Sequence, residues 1–423
     1  MTPYHQYLSK LELAAQNGKV NSEEHRLSSW HYEQVRRHLK SEFLKMTGAF
    51  FSGEDVSTLV ANKVLPHVGP DTIIFDPACG AGDLLLACAK GLPTSRSFPE
   101  TLRLWERRLA GIDINADFVR AAKARLMLLA RERSQEDLDV EYPVDAVFDK
   151  IKVGDGLKST DFYGCDDIII VMNPPFNPMR SRPSCSWADG GITSAAEFLA
   201  TYIENSSRGT RFIAVLPEVL RAGSRYQKWR NLVENNTKNL EKEVVGRFST
   251  FANVDVFILK GEIDHNGTGL NFGWWPEEQT CEKVSDFFYV NVGSVVPHRD
   301  LEQGPLYPYL YTRDVEPWQV IVSPASYRRF SKRVFDPPFV VVRRTSAPKD
   351  STRCVASVVD IDSKVAVENH FLVLTPKNGH ISTCVNALSI LKDQRTTHWL
   401  NERIKCRHLT VSSISNLPWW TEN

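Results

Sequence analysis

The sequence predicts an α/β protein: a mostly parallel sheet with helices on both faces, followed by a β-rich α+β part. Three observations carry this reading. Between residues 72 and 260, short apolar runs alternate with helical patterns, which is how strand–helix–strand units read. Beyond residue 262 the rhythm changes to short β runs, "FFYVNVGSVV", "FVVVRRTS", "RCVASVVDI" and "HFLVLTP". At 423 residues the chain holds two or three units of ~150 residues, each able to bury its own core.

The elements follow in order. Residues 1–46 are rich in helix formers and charge, as in "EEHRLSSWHYEQVRRHLKSEFLKM", and form a helical segment. In "GAFFSGEDVSTLVANKVLPHV", Ser52 is placed to cap a helix. "TIIFD" at 72–76 is a strand, then comes a glycine-containing loop, then the helix "LLLACAKGL". "RLAGIDI" is a strand and "ADFVRAAKARLMLLARER" a long helix; "DAVFDKIKVGDGL" holds a short strand. "DDIIIVM" is a buried strand, "SAAEFLATYIENSS" a helix, "TRFIAVLP" a strand, "QKWRNLVENN" a helix and "VDVFILKGE" a strand. The polar stretch "EIDHNGTGLNFGWWPEEQT" marks a boundary, so the expected units are 1–46, 47–262 and 263–423. The last ends in a helical tail, "CVNALSILKDQRTTHWLNERIK".

Composition narrows the class. Hydrophobic residues make up 42% and charged residues 24%, as in folded globular proteins. Net charge is zero, so binding to nucleic acid would depend on a local basic face. The eight cysteines are scattered, which argues against a zinc site or a disulfide framework and for a reducing compartment. The first twenty residues lack an apolar signal region, and no run approaches ~18 apolar residues. The expectation is a cytoplasmic protein with no metal and no membrane partner.

"FDPACGAGDLLL" at 75–86 lies between a strand and a helix. Gly80 and Gly82 allow a sharp turn and close approach to a ligand. There is no Walker lysine and no complete G-x-G-x-x-G. Asp76 and Asp83 suit a cationic or hydroxyl-rich ligand better than a pyrophosphate. Asp113 of "AGIDIN" ends the next strand, where a carboxylate can bridge ribose hydroxyls. Asp155 of "VGDGL" ends the third and can accept from an adenine amino group. Each alone reads as a cap or turn former. In this order they fit one nucleoside-like ligand across the sheet edge.

"VMNPPFNP" at 171–178 closes the fourth strand. A bland turn is one reading. The other is a pocket for a planar amino-bearing ring. The Asn173 carboxamide and the rigidly held Pro174 carbonyl can accept both amino hydrogens, which is positioning rather than covalent catalysis. Phe176 offers a stacking face, worth ~1–3 kcal/mol per base.

"DPACGAGDLLL", "GIDIN", "GDG" and "NPPF", in that order and spacing, resemble the class I S-adenosylmethionine-dependent methyltransferases. More narrowly they resemble γ-type adenine-N6 DNA methyltransferases, in which a "G-x-F-[FY]-[TS]-P" element precedes the glycine-rich motif. "GAFFSG" at 48–53 is similar, with Gly53 where proline is common. The likeness spans roughly residues 40–260. It implies a Rossmann-like sheet, with S-adenosyl-L-methionine held by Phe51, Ser52, Asp76, Ala78, Gly80, Gly82, Asp113, Ile114, Asp155, Gly156 and Asn173. It also implies catalysis by Asn173, Pro174, Pro175 and Phe176 on a flipped adenine. In "FSTFANVDVFILK", Phe251, or else Phe248, is the implied second face of the base sandwich; core packing is the alternative for both.

"IVSPASYRRFSKRVFDPPFVVVRRT" at 321–345 offers Arg328, Arg329, Lys332, Arg333, Arg343 and Arg344 to a phosphate backbone, or to solvent. Residues 287–423 are similar to target recognition domains of restriction–modification specificity subunits, through "VGSVVPHRD", "VENHFLVLTP" and "RHLTVSSISNLPWW". The implied partners are double-stranded DNA and a restriction endonuclease or other defence subunit. "DPPF" at 336–339 lacks a cofactor motif before it and reads as a turn; "DIDSK" at 360–364 is too common a pattern to assign a nuclease. Two other functions stay open: methyl transfer to ribosomal RNA or a protein glutamine, and a non-catalytic DNA-binding subunit.

Overall fold

The apolar runs of the first part become strands of one sheet. Strands β1 (Ile73–Asp76), β2 (Leu109–Asp113), β3 (Ile151–Val153), β4 (Ile168–Met172) and β7 (Arg211–Pro217) lie parallel. β9 (Asp255–Ile263) pairs antiparallel to β7, and β8 (Thr237–Arg247) antiparallel to β9. The order across the sheet is β3-β2-β1-β4-β7-β9-β8. All five residues of β4 are buried, because a central parallel strand is covered on both faces. Each buried Ile or Val contributes ~1.5–3 kcal/mol. β5 (Pro178–Arg180) and β6 (Gly191–Thr193) form a separate hairpin.

The computed structural model describes residues 2–17, 53–247, 254–267, 272–275, 282–345, 351–404 and 408–420. They divide into two compact units between Phe272 and Gly273. Among them no helix is long and apolar enough to cross a membrane.

In the first unit, helix α1 (Pro3–Asn17) buries Tyr4, Tyr7, Leu8, Leu11 and Ala15. After α2 (Gly53–Val64) come α3 (Asp83–Ala89), α4 (Phe98–Glu106) and α5 (Ala116–Arg133). α1 packs on α5. Arg120 makes a two-pronged pair with Glu12 at 2.8 and 2.6 Å. Arg131 donates to the Ala15 and Gln16 carbonyls, both at 2.9 Å, satisfying carbonyls in the last turn of α1. α6 (Ser194–Asn205), α7 (Glu218–Ala222) and α8 (Gln227–Asn235) complete the unit.

β8 and α4 are additions to the sequence reading. β8, "TKNLEKEVVGR", is so charged that no apolar alternation shows. It is an edge strand, and its charges are matched in register: Lys238 faces Glu262 at 2.9 Å and Glu241 faces Lys260 at 2.9 Å. Charged edges resist pairing with other chains.

The second unit has a five-stranded sheet, β10-β17-β14-β15-β12, and a three-stranded one, β13-β11-β16. Here β10 is Phe288–Val292, β11 Leu306–Leu310, β12 Val320–Ile321, β13 Ser326–Arg329, β14 Phe339–Arg343, β15 Ala356–Val359, β16 Ala366–Val367 and β17 Phe371–Pro376. Strand alternation divides the core. Val340, Val342, Leu372 and Leu374 face the cluster that holds Leu391 and Leu400 of α9 (Ile381–Lys392) and α10 (Gln394–Arg403). Phe339, Val341 and Val373 join Phe335 and Val365 in another. "DPPF" thus leads into β14 with Phe339 fully buried, unavailable to stack on any base.

Candidate cofactor and catalytic site

Parallel strands end on the same edge of a sheet, and there the expected side chains gather. Asp76 closes β1 and Asp113 closes β2, in rungs with Gly111 and Val153. Asp155 follows β3, and Asn173 follows β4 directly. Strand order runs from β1 to β2 and β3 on one side and to β4 and β7 on the other. The crevice at such a reversal is where open α/β sheets take ligands.

Asp113 organises the crevice. Its Oδ2 accepts from the Gly80 N–H at 3.0 Å and its Oδ1 from the Asn115 N–H at 2.8 Å. One carboxylate thereby ties the glycine-rich loop to the start of α5, where the Asn115 side chain is the cap. Burial raises its pKa, and the two backbone donors oppose the rise. A carboxylate has about four lone-pair sites, so acceptor capacity remains for hydroxyl groups. Beside it Ile114 is 71% exposed, an apolar side chain standing open at the edge where a planar ring can lie.

Asp76 is buried, with Oδ1 accepting from the Ala78 N–H at 3.0 Å. Burial pushes its carboxyl up to about 8, the Ala78 N–H opposes this, and the Asp113 and Asp83 charges add to it. A cationic group brought to this point would restore the ionised form. Ala78 is half-buried on the same turn.

Two glycines have steric reasons to be there. Gly82 has φ +84°, and a Cβ on it would sit 3.0 Å from the Ala122 Cβ. Gly156 is tighter: an added Cβ would come within 1.9 Å of the Pro77 carbonyl oxygen. The loops after β1 and β3 are therefore in backbone contact.

The structure corrects the reading of Asp83. Its Oδ1 accepts from Arg125 at 2.8 Å in a pair almost closed to solvent. Arg125 also donates to the Ala81 carbonyl at 2.5 Å. Asp83 is thus a strut behind the loop rather than a group facing a ligand. Asp155 is engaged as well: Oδ1 accepts from the Leu157 N–H at 3.1 Å and Oδ2 pairs with Lys158 at 3.0 Å.

At the end of β4, Pro174 is buried while Asn173, Pro175 and Phe176 are half-buried. Phe176 packs against the main core, which fixes the ring on its inner side. Phe51, Ser52, Phe248 and Phe251 lie outside the described residues.

Sequence reasoning passed over three supporting residues. Tyr202, 1% exposed, donates to the Gly156 carbonyl at 2.7 Å. Arg125 stands on the buried α5 stripe of Phe118, Ala122 and Leu129. A charge at an apolar position of a helical period was the available signal. Arg230 donates to the Leu220, Arg221 and Gly223 carbonyls at 2.9–3.1 Å, holding the turn after β7. Nothing in its local pattern marks it.

The six basic residues of the second unit do not share one role. β13 alternation turns Arg329 outward and Arg328 inward. Arg328 is 8% exposed, donates to Glu302 and to the Asp300 carbonyl, both at 2.8 Å, and lies 5.6 Å from the Tyr309 ring centre. Arg328 is thus engaged inside the unit. Lys332 pairs with Asp300 at 2.5 Å. Arg343 donates to the Val315 carbonyl at 2.8 Å, and Arg344 to the Asn369 carbonyl at 3.0 Å with His408 beside it. Arg329 and Arg333 are exposed, donating to the Gly304 carbonyl at 3.1 Å and Asn291 Oδ1 at 2.9 Å. Arg328→Ala is therefore expected to destabilise the second unit by about 1–3 kcal/mol, through a lost hydrogen bond to a buried carbonyl and a cavity. Urea denaturation checks this; unaltered stability would show that the buried contacts of Arg328 do not support the unit.

The sheet order, the glycine-rich loop after β1 and Asn-Pro-Pro-Phe after β4 define a class I methyltransferase fold, the class that works with S-adenosylmethionine. The family model described as N-6 DNA Methylase matches residues 24–235, and the chain belongs to that family. A comparison with curated proteins finds no match.

Three solved structures are similar in part. One is a modification subunit assigned to a type I restriction enzyme from Vibrio vulnificus YJ016, 17% identical, with 59% of this chain and 51% of that one covered and a TM-score of 0.40. The type I restriction enzyme EcoKI M protein is 14% identical over 62% of this chain and 56% of its own, TM-score 0.36. The type IIG restriction endonuclease BpuSI is 14% identical over 98% of this chain and 66% of its own, TM-score 0.43. The chain spans about half the length of the Vibrio subunit.

Proposed function

We propose that the protein transfers a methyl group from S-adenosyl-L-methionine to the N6 amino group of an adenine flipped out of double-stranded DNA, within a restriction–modification or related defence system. The observation that carries this is the placement of Asn173–Phe176 at the end of β4, beside the loop after β1 that holds Asp76 and Gly80.

The residues present fit that cofactor. Asp113 keeps acceptor capacity for ribose hydroxyls, Ile114 offers an apolar face for adenine, and Asp76 suits the cationic amino group. Asp155, Gly156 and Asn173 would line the remainder. When bound, the cofactor supplies an electrophilic sulfonium methyl group. The protein orients the acceptor. The Asn173 side-chain carbonyl and the Pro174 carbonyl accept the two amino hydrogens, directing the nitrogen lone pair outward. Pro175 stiffens the turn, and Phe176 stacks on the base, with Phe251 as the second face. Extruding the base costs a few kcal/mol, which stacking offsets. In this reading residues 47–262 are the catalytic domain and 263–423 a target recognition domain, with Arg329, Lys332, Arg333, Arg343 and Arg344 its candidate DNA contacts.

The test uses methyl-labelled cofactor with duplex DNA, RNA and a protein extract in separate incubations. Label on DNA adenine supports the reading. Label on RNA or protein keeps the pocket but overturns the substrate. Cofactor binding with no label anywhere marks a non-catalytic subunit.

A further inference from the structure

We propose that the β5–β6 hairpin, which follows the Asn-Pro-Pro-Phe turn, grips the DNA strand beside the extruded adenine, with Arg180 on a backbone phosphate. This rests on the DNA methyltransferase reading.

Placement comes first. β5 begins two residues after Phe176, and the hairpin base is closed by the Ser194 N–H donating to the Asn177 carbonyl at 2.8 Å. Four residues of chain reach at most about 14 Å, so Arg180 lies within a few nucleotides of any base stacked on Phe176.

The hairpin is firmly seated. Arg182, at the start of its tip, pairs with Glu197 and, at 2.8 Å, with Glu204, both on α6. Glu197 is 1% exposed, so the pair is shielded from screening by salt. Trp187, in the loop between the two strands, is buried.

Arg180 is different. It is exposed on β5, with no ion pair among the described residues. Its partner across the ladder is Gly191, where an added Cβ would meet nothing within 4 Å. Neither crowding nor a left-handed backbone calls for glycine at 191. A bare rung beside an unpaired guanidinium admits another molecule's backbone, and a guanidinium matches phosphate in geometry as well as charge.

The experiment measures DNA affinity of the full chain against salt concentration for wild type, Arg180→Ala and Arg180→Lys. Cofactor affinity and melting midpoint serve as controls of folding. One phosphate contact contributes about 0.9 to the slope of log K against log salt. The alanine variant should lose about that much slope at every target sequence, and the lysine variant should keep it. An alanine variant with the wild-type slope and affinity overturns the proposal while leaving the methyltransferase reading intact. A wild type that neither binds nor labels DNA overturns both.

Discussion

Replacing Asn173 by alanine should lower the rate of methyl transfer at saturating substrates by about 10²–10³, the usual cost of removing one preorganised polar group from a reacting centre. Asn173 follows the last residue of β4, a strand buried along its whole length, so its backbone is fixed whatever side chain it carries. The loss therefore falls on orientation of the acceptor amine. Rate and rate per unit substrate affinity should fall together, the mark of an interaction realised in the transition state. Cofactor affinity should change only a few-fold, because Asp76, Asp113 and the glycine loop are untouched. Single-turnover labelling with calorimetric cofactor titration reads both quantities. A variant that transfers methyl groups at the wild-type rate would remove Asn173 from the chemistry.

Asp76→Asn should do the opposite to two properties at once: weaken the cofactor complex and strengthen the empty protein. The carboxyl of Asp76 titrates at about 8 in the fold against 3.8 for the free group, because it is buried. Its folded value is raised, so the fold disfavours the ionised form. That penalty is absent below the unfolded value, grows as pH rises from about 4 to 8, and is constant above. Asparagine keeps an acceptor for the Ala78 N–H and carries no charge. Near pH 8 the variant should melt higher than wild type without cofactor, by an amount on the order of a few kcal/mol, and the difference should vanish near pH 4. Cofactor affinity should fall about 10²-fold or more, the cost of removing one member of a buried charge pair. In wild type, affinity should rise with pH up to about 8. A variant less stable than wild type at pH 8, or one binding cofactor normally, would show that Asp76 does not meet a cation.

What was legible follows from range. The strand ends, the glycine loop and Asn-Pro-Pro-Phe are local patterns, and local backbone chemistry places them. Asp76 and Asp113 sit at the edge because apolar runs of fixed length precede them. Asp83 shows the limit: its neighbours in sequence cannot reveal Arg125, 42 residues away. Arg328 shows another. A run of basic residues looks like one face, but strand alternation points one cation into the protein and the next out. β8 was hidden for a third reason, since an edge strand stabilised by matched charges lacks the apolar alternation that announces a strand.

The docking of α1 on α5 also bears on how the site comes into being. Arg131 reaches Ala15 across 116 residues of sequence, and Arg120 reaches Glu12 across 108. Contacts of such span carry a large loop-closure cost and form slowly. Arg125, the strut behind the glycine loop, lies on the same helix that α1 covers, and its charge is felt by Tyr4 and Tyr7. The sheet edge can assemble from neighbouring strand–helix units. The helix that carries the strut behind the cofactor loop is thus covered by a segment more than a hundred residues away in sequence.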